Sequence, residues 1–184
     1  MRESRKFELF QKNKIYIDSS VSHCPPILFR QERDWTCAFA CLRTIMSEFD
    51  DNWLSEIEII KKYSLTPKPY FSADIKNLRI IDHMNVIYGC DASAVSFNDI
   101  VTLMKSGYYV MLESLTNYSH WMVLIGCYVL GDGSDAEEIK LSFFDPYYND
   151  IKYMLLDEFI NIWIDAENEI NGIERDFLAI NKKF

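Results

Sequence analysis

Gln31, Cys37, His120 and Asp145 are the residues of this chain whose types and order could do chemistry together. Cys37 stands six residues after Gln31 and opens an apolar, helix-spaced stretch. In the first turn of a helix a thiol meets free N–H groups and the positive end of the helix dipole, and both favour the reactive thiolate. A histidine partner completes an ion pair and carries the proton, while a carboxylate on its other ring nitrogen orients the imidazole. His120 and Asp145 are the candidates for those two places. The amide of Gln31 and the backbone N–H of Cys37 are candidate donors to an oxyanion, where losing one donor typically costs about 2.7–4 kcal/mol of transition-state stabilisation. The chemistry implied is nucleophilic attack on a carbonyl.

Singly, each residue has a plainer explanation. A cysteine in an apolar helix is usually packing, a lone histidine is usually a satisfied polar residue, and Asp-Pro is a common turn. What joins them is the strand register. With Asp132-Gly133 as a two-residue hairpin turn, opposed residue numbers sum to 265, so His120 faces Asp145 on the same side of the sheet. A longer loop shifts this register by a few positions and leaves Asp145 a neighbour. Pro146 ends the strand just beyond the carboxylate.

The elements that must position these residues follow from periodicity. Ala38, Cys41, Leu42, Ile45 and Phe49 recur at helical spacing, and Phe39, Ala40 and Met46 spread the apolar surface most of the way round, which predicts a central, buried helix. Asp34 or Thr36 can cap it. Further helices are predicted from Ser55 to Tyr63, from Ser72 or Ala73 to His83, from Ser96 to Ser106, and from Asp157 to Ala166. Strands are predicted at Asn85–Cys90, Tyr108–Glu113, His120–Leu130, Ile139–Phe144, Ile151–Leu155 and Arg175–Ile180, with a short edge strand at Lys14–Ile17. His120–Leu130 is almost unbrokenly apolar and suits a strand buried on both faces. The fold class expected is α+β: an N-terminal helical half, with the nucleophile on its central helix, packed on a C-terminal antiparallel sheet.

The remaining candidates are peripheral. Trp35 and Trp121 neighbour Cys37 and His120 and can wall a substrate cleft, whereas Trp53 and Trp163 read as core. Cys41 shares a helix face with Cys37, and small-residue packing accounts for it better than a redox pair.

Composition bounds the rest. A chain of 184 residues with 49% apolar content fits one domain over 1–184, residues 1–20 forming an extension. A net charge of −9 without Lys/Arg clusters excludes a nucleic-acid surface. Five cysteines in an odd set without framework spacing fit reduced thiols, and three scattered histidines with no Cys-x-x-Cys pair give no metal site. No cofactor is expected. The charged start lacks the apolar core of a secretory signal and no run of 18 apolar residues occurs, so a soluble cytoplasmic protein is expected, with no membrane span. An effector or toxin exported without a cleavable signal has the same features.

The motifs resemble the papain-like cysteine peptidases, and more narrowly the double-glycine leader peptidases that process bacteriocin precursors. The matching pieces are Gln31 with Cys37, Ala40-Cys41-Leu42, HWMVLIG around His120 and FFDP around Asp145. DWTCAFACLR also resembles the DWDCGLAC-type segment of the guanylyl cyclase domain-containing proteins. The resemblance implies a papain-like fold, with Gln31 in the oxyanion hole, Cys37 as nucleophile, His120 as general base and acid, and Asp145 orienting His120. It implies a peptide or protein substrate. Thr36 and Ala38 stand where the family usually has an acidic residue and glycine. Deamidation and acyl transfer pass through the same thioester and stay open, as does a module that binds a peptide without turning it over. Oligomeric state is open too.

Overall fold

In a computed structural model of the chain, residues 17–50, 53–89, 96–115, 119–132, 135, 138–164 and 176–183 are described. The expected edge strand at Lys14–Ile17 falls mostly outside them; Ile17 itself is buried. The apolar stretch after Thr36 forms α1 (Cys37–Met46), in which every residue except Arg43 is buried. Ser55 starts α2 (Glu56–Tyr63) with a capping box: its hydroxyl accepts from the Glu58 N–H and the Glu58 carboxylate accepts from the Ser55 N–H. Next comes α3 (Ser72–Asn77). It stops well short of His83 because Arg79 takes a left-handed φ of 60°, which a continuing helix does not allow. Ser96 caps α4 (Phe97–Lys105), with Gly107 at φ 83° just beyond its end, and α5 is Leu156–Ile164.

The strands are β1 (Val21–Ser22), β2 (Met84–Gly89), β3 (Tyr109–Leu115), β4 (Ser119–Val129), β5 (Ile139–Asp145), β6 (Asp150–Leu155) and β7 (Phe177–Lys182). They form one seven-stranded antiparallel sheet in the order β2-β7-β3-β4-β5-β6, with β1 on β4. The fold is α+β. Alternation along the central strand β4 sends Trp121, Val123 and Ile125 into one core with α1, and Met122 and Leu124 into a second core with α4 and α5. Helices therefore cover both faces of the sheet, where the periodicity suggested a helical half followed by a sheet. Among the described residues no helix is long and apolar enough to cross a membrane.

The β4–β5 register differs from the turn-based expectation. Val123 opposes Phe144, whereas a sum of 265 would have set it against Ser142. The physical reason is the loop. Strand pairing ends at Val129–Ile139, Leu130 N donates to Glu138 O across 2.7 Å, and Asp132 N donates to Glu138 Oε2, so the connection is longer than a two-residue turn on Asp132-Gly133. An irregularity between Leu124 and Gly126 takes back one residue of that shift.

Candidate active site

The segment before α1 is fixed from two sides. Phe29 N donates to Thr44 Oγ1 (2.9 Å) and Ile27 N to Ser47 Oγ (3.2 Å), so the extended chain after Pro25-Pro26 is laid along the helix. Gln31 N then donates to Pro146 O (3.0 Å), tying this segment to the turn that follows Asp145. Below it, the buried Glu56 accepts from Glu32 N at 3.0 Å. Burial raises the Glu56 carboxyl above its ordinary range, against the hydrogen bond from the Glu32 backbone.

Thr36 occupies the N-cap position but does not cap. Its hydroxyl donates to Arg33 O and accepts from Arg33 N, closing the preceding turn. Among the described hydrogen bonds none takes the Cys37 backbone N–H, which stays available at the helix N-terminus. Cys37 is 7% exposed.

His120 lies at the start of β4, opposite Ser114 of β3, whose hydroxyl donates to the His120 carbonyl. Asp145 ends β5. With Val123 opposite Phe144, the carboxylate reaches His120 diagonally rather than face to face, and His120 Nε2 lies 2.8 Å from Asp145 Oδ1. An ionised carboxylate only accepts, so Nε2 carries a proton and Nδ1 is left for Cys37. Burial alone would lower the His120 pKa; the hydrogen bonds and negative charges of Asp145 and Cys37 outweigh it and raise the value to about 9. Asp145 is 1% exposed. Burial works to raise its carboxyl, yet the hydrogen bonds and charges of His120 and Lys152 hold it well below the usual carboxylate range.

Cys37 and His120 open onto a cleft of about 540 Å³, lined also by Trp35, Tyr70, the Pro67-Lys68-Pro69 connector and Tyr147. Trp35 stacks on Tyr70 with ring centroids 6.2 Å apart. A second groove of about 660 Å³, lined by Arg30, Gln31 and Arg33, meets it at Asp34 and Tyr147.

Two expected site residues are placed differently. Gln31 is 8% exposed and does not line the cleft with Cys37; its Nε2 donates to Arg33 O at 2.8 Å, because the Arg33 turn folds back over it. Trp121 is a core residue, 1% exposed, since position 121 points to the α1 side of the buried central strand. Its Nε1 donates to Tyr70 O (2.7 Å), so it supports the cleft wall from beneath. Trp121→Phe is expected to leave that carbonyl without its donor and cost about 1–3 kcal/mol, measured as a lower urea midpoint; an unchanged midpoint would show that another donor replaces the indole.

Cys41 donates its thiol to Trp121 O (3.4 Å), and burial, with the negative charges of Cys37, Asp145 and Glu56, pushes its pKa well up, which makes it packing. Cys24, Cys37, Cys41 and Cys127 are free thiols; Cys90 lies outside the described residues. Sequence reasoning missed Tyr70, Tyr147 and Lys152. Of these Lys152 carried a readable signal, being placed by the short Pro146–Asn149 turn on the strand beside Asp145.

No protein-family model matches this chain, and no curated protein matches it. A solved structure, UfSP from C. elegans, has a similar fold, with a TM-score of 0.53 and 14% sequence identity over 89% of this chain. The chain spans 34% of the length of that protein.

Proposed function

We propose that this chain is a thiol hydrolase that attacks a peptide or other amide carbonyl through Cys37. The observation that carries the reading is the position of His120, hydrogen-bonded to Asp145 at 2.8 Å and lining one open cleft together with Cys37. The α+β fold that carries these residues is similar to that of UfSP. The Cys37 thiolate adds to the carbonyl carbon, and the resulting oxyanion accepts from the Cys37 backbone N–H at the helix N-terminus. The His120 imidazolium gives its proton to the departing amine, and the C–N bond breaks to leave a thioester on Cys37. Neutral His120 then takes a proton from water, hydroxide displaces the sulfur, and the acid product leaves with the thiolate–imidazolium pair restored. Throughout, Asp145 holds Nε2 so that Nδ1 faces the sulfur. An amine in place of water at the last attack makes the same chemistry an acyl transfer.

Alkylation by iodoacetamide, followed residue by residue by mass spectrometry at pH 7, tests this. Cys37 is expected to react faster than the exposed Cys24, while buried Cys41 and Cys127 stay unmodified. His120→Ala is expected to slow Cys37 by about tenfold or more, since the thiolate loses its counter-ion. Equal rates at Cys24 and Cys37, unchanged by His120→Ala, would defeat the proposal.

A further inference from the structure

Asp145 has a second cationic partner that the reaction above does not use. Its Oδ1 accepts from His120 Nε2 and from Tyr147 N (3.0 Å), while its Oδ2 accepts from Lys152 Nζ at 2.6 Å. The register explains how. Asp145 opposes Asp150 and Phe143 opposes Lys152, so Lys152 is the diagonal neighbour of Asp145 on β6, as His120 is on β4. One buried carboxylate at the end of the middle strand thus receives a cation from each flanking strand.

Lys152 is itself held. Its ammonium lies 3.7 Å from the centroid of the Tyr148 ring, and that ring meets Tyr147, a wall of the cleft, edge to face at 5.0 Å. A solvated surface lysine gains little from a single ion pair. This one is 38% exposed, but the carboxylate it faces is 2% exposed, so the pair is screened from the Lys152 side alone.

The geometry points to Lys152 as a positioning residue of this site: by binding Oδ2 it keeps Oδ1 on His120, and as a second cation on the same carboxylate it limits how strongly Asp145 stabilises the imidazolium. The inference rests on the Cys37–His120–Asp145 reading and goes beyond it. Without Lys152 the imidazolium would persist to higher pH, and neutral His120, needed to activate water, would be scarcer. The ionisable groups around the pair are Cys37 and Cys41 from α1, Asp145 from β5, Asp150 and Lys152 from β6, and Asp34, Lys68 and the phenols of Tyr70 and Tyr147 around the cleft. Of the two lysines, only Lys152 touches Asp145.

The test is an NMR titration of His120 in histidine-labelled full-length protein, with iodoacetamide alkylation of Cys37 followed over the same pH range. Lys152→Met, whose stem still packs on Tyr148, is expected to move the His120 midpoint up by about one unit. Lys152→Arg is expected to keep the parent midpoint. Should the methionine variant not fold, Lys152→Gln carries the same expectation. A structural role alone lowers thermal stability and leaves the midpoint where it is. An unmoved or lowered midpoint in Lys152→Met, while Asp145→Asn lowers it, overturns the Lys152 assignment and leaves the site reading standing. If Asp145→Asn also leaves the midpoint unmoved, and Cys37 alkylates no faster than Cys24, the site reading itself falls.

Discussion

Cys37→Ala is expected to abolish amide turnover, lowering kcat/KM by about 10⁴-fold or more on a substrate found by profiling a peptide library. The size follows from the chemistry. Alanine offers no nucleophile, and what remains is binding and the oxyanion donor, which act on a reaction no longer initiated. The substitution removes one sulfur from a cleft-lining side chain, so the urea midpoint should change little. A second feature separates this from general damage. Residues acting as one unit are not additive, so Cys37→Ala combined with His120→Ala should lose no more than Cys37→Ala alone. Cys41→Ala, by contrast, should affect stability and spare turnover, because the Cys41 thiol is fully buried against Trp121 O. Full activity in Cys37→Ala would refute the proposed function outright.

The second large effect is on pH dependence. His120 in the folded chain titrates at about 9, above its ordinary value near 6.5. The His120 imidazolium should therefore persist through neutrality, and kcat/KM should fall as pH rises through about 9. Asp145→Asn removes the charge that supports the imidazolium. That limb should move down toward 6.5, and turnover should drop by as much as about 10⁴-fold, since an amide can hold the wrong tautomer. Stability follows with a definite sign. The His120 contribution is complete below about pH 6.5 and is lost as pH rises through about 9; the Asp145 contribution is complete above about pH 4 and is lost as pH falls through its depressed value. The melting temperature of the parent should exceed that of Asp145→Asn most between about pH 4 and 6.5, and the gap should narrow on going to pH 9. A gap independent of pH would mean that the two side chains are not an ion pair.

The arrangement also explains why a site split between distant segments holds together. Its halves come from the start of α1 and from the ends of β4 and β5, and Gln31 N on Pro146 O joins them directly. The Gln31 amide, by contrast, is committed to Arg33 O.

Much of the frame was legible in the residues because local pattern and burial agree. The helix at Cys37 shows as apolar residues all round the axis, β4 as an apolar run, and α2 and α4 as capped, amphipathic stretches with Ser55 and Ser96 at their starts. Illegible were features set by contacts distant in sequence. The end of α3 depends on Arg79 adopting positive φ, and helical spacing beyond Asn77 gives no sign of it. Trp121 beside His120 suggested a cleft wall, but strand alternation sends neighbouring residues to opposite faces, and only the packing of α1 on β4 decides which face is core.

What the chain determined by itself is the set of reactive types and their order, the helix that starts at Cys37, and a hairpin bringing Asp145 near His120, because helix periodicity, strand alternation and Pro146 are local and strong. Tertiary structure alone decided that a longer loop makes the His120–Asp145 contact diagonal, that the Gln31 amide turns to Arg33, that helices cover both faces of the sheet, and that Lys152 shares the carboxylate. Those outcomes depend on register and on which buried polar group finds which partner, a competition settled by hydrogen-bond geometry across the whole fold.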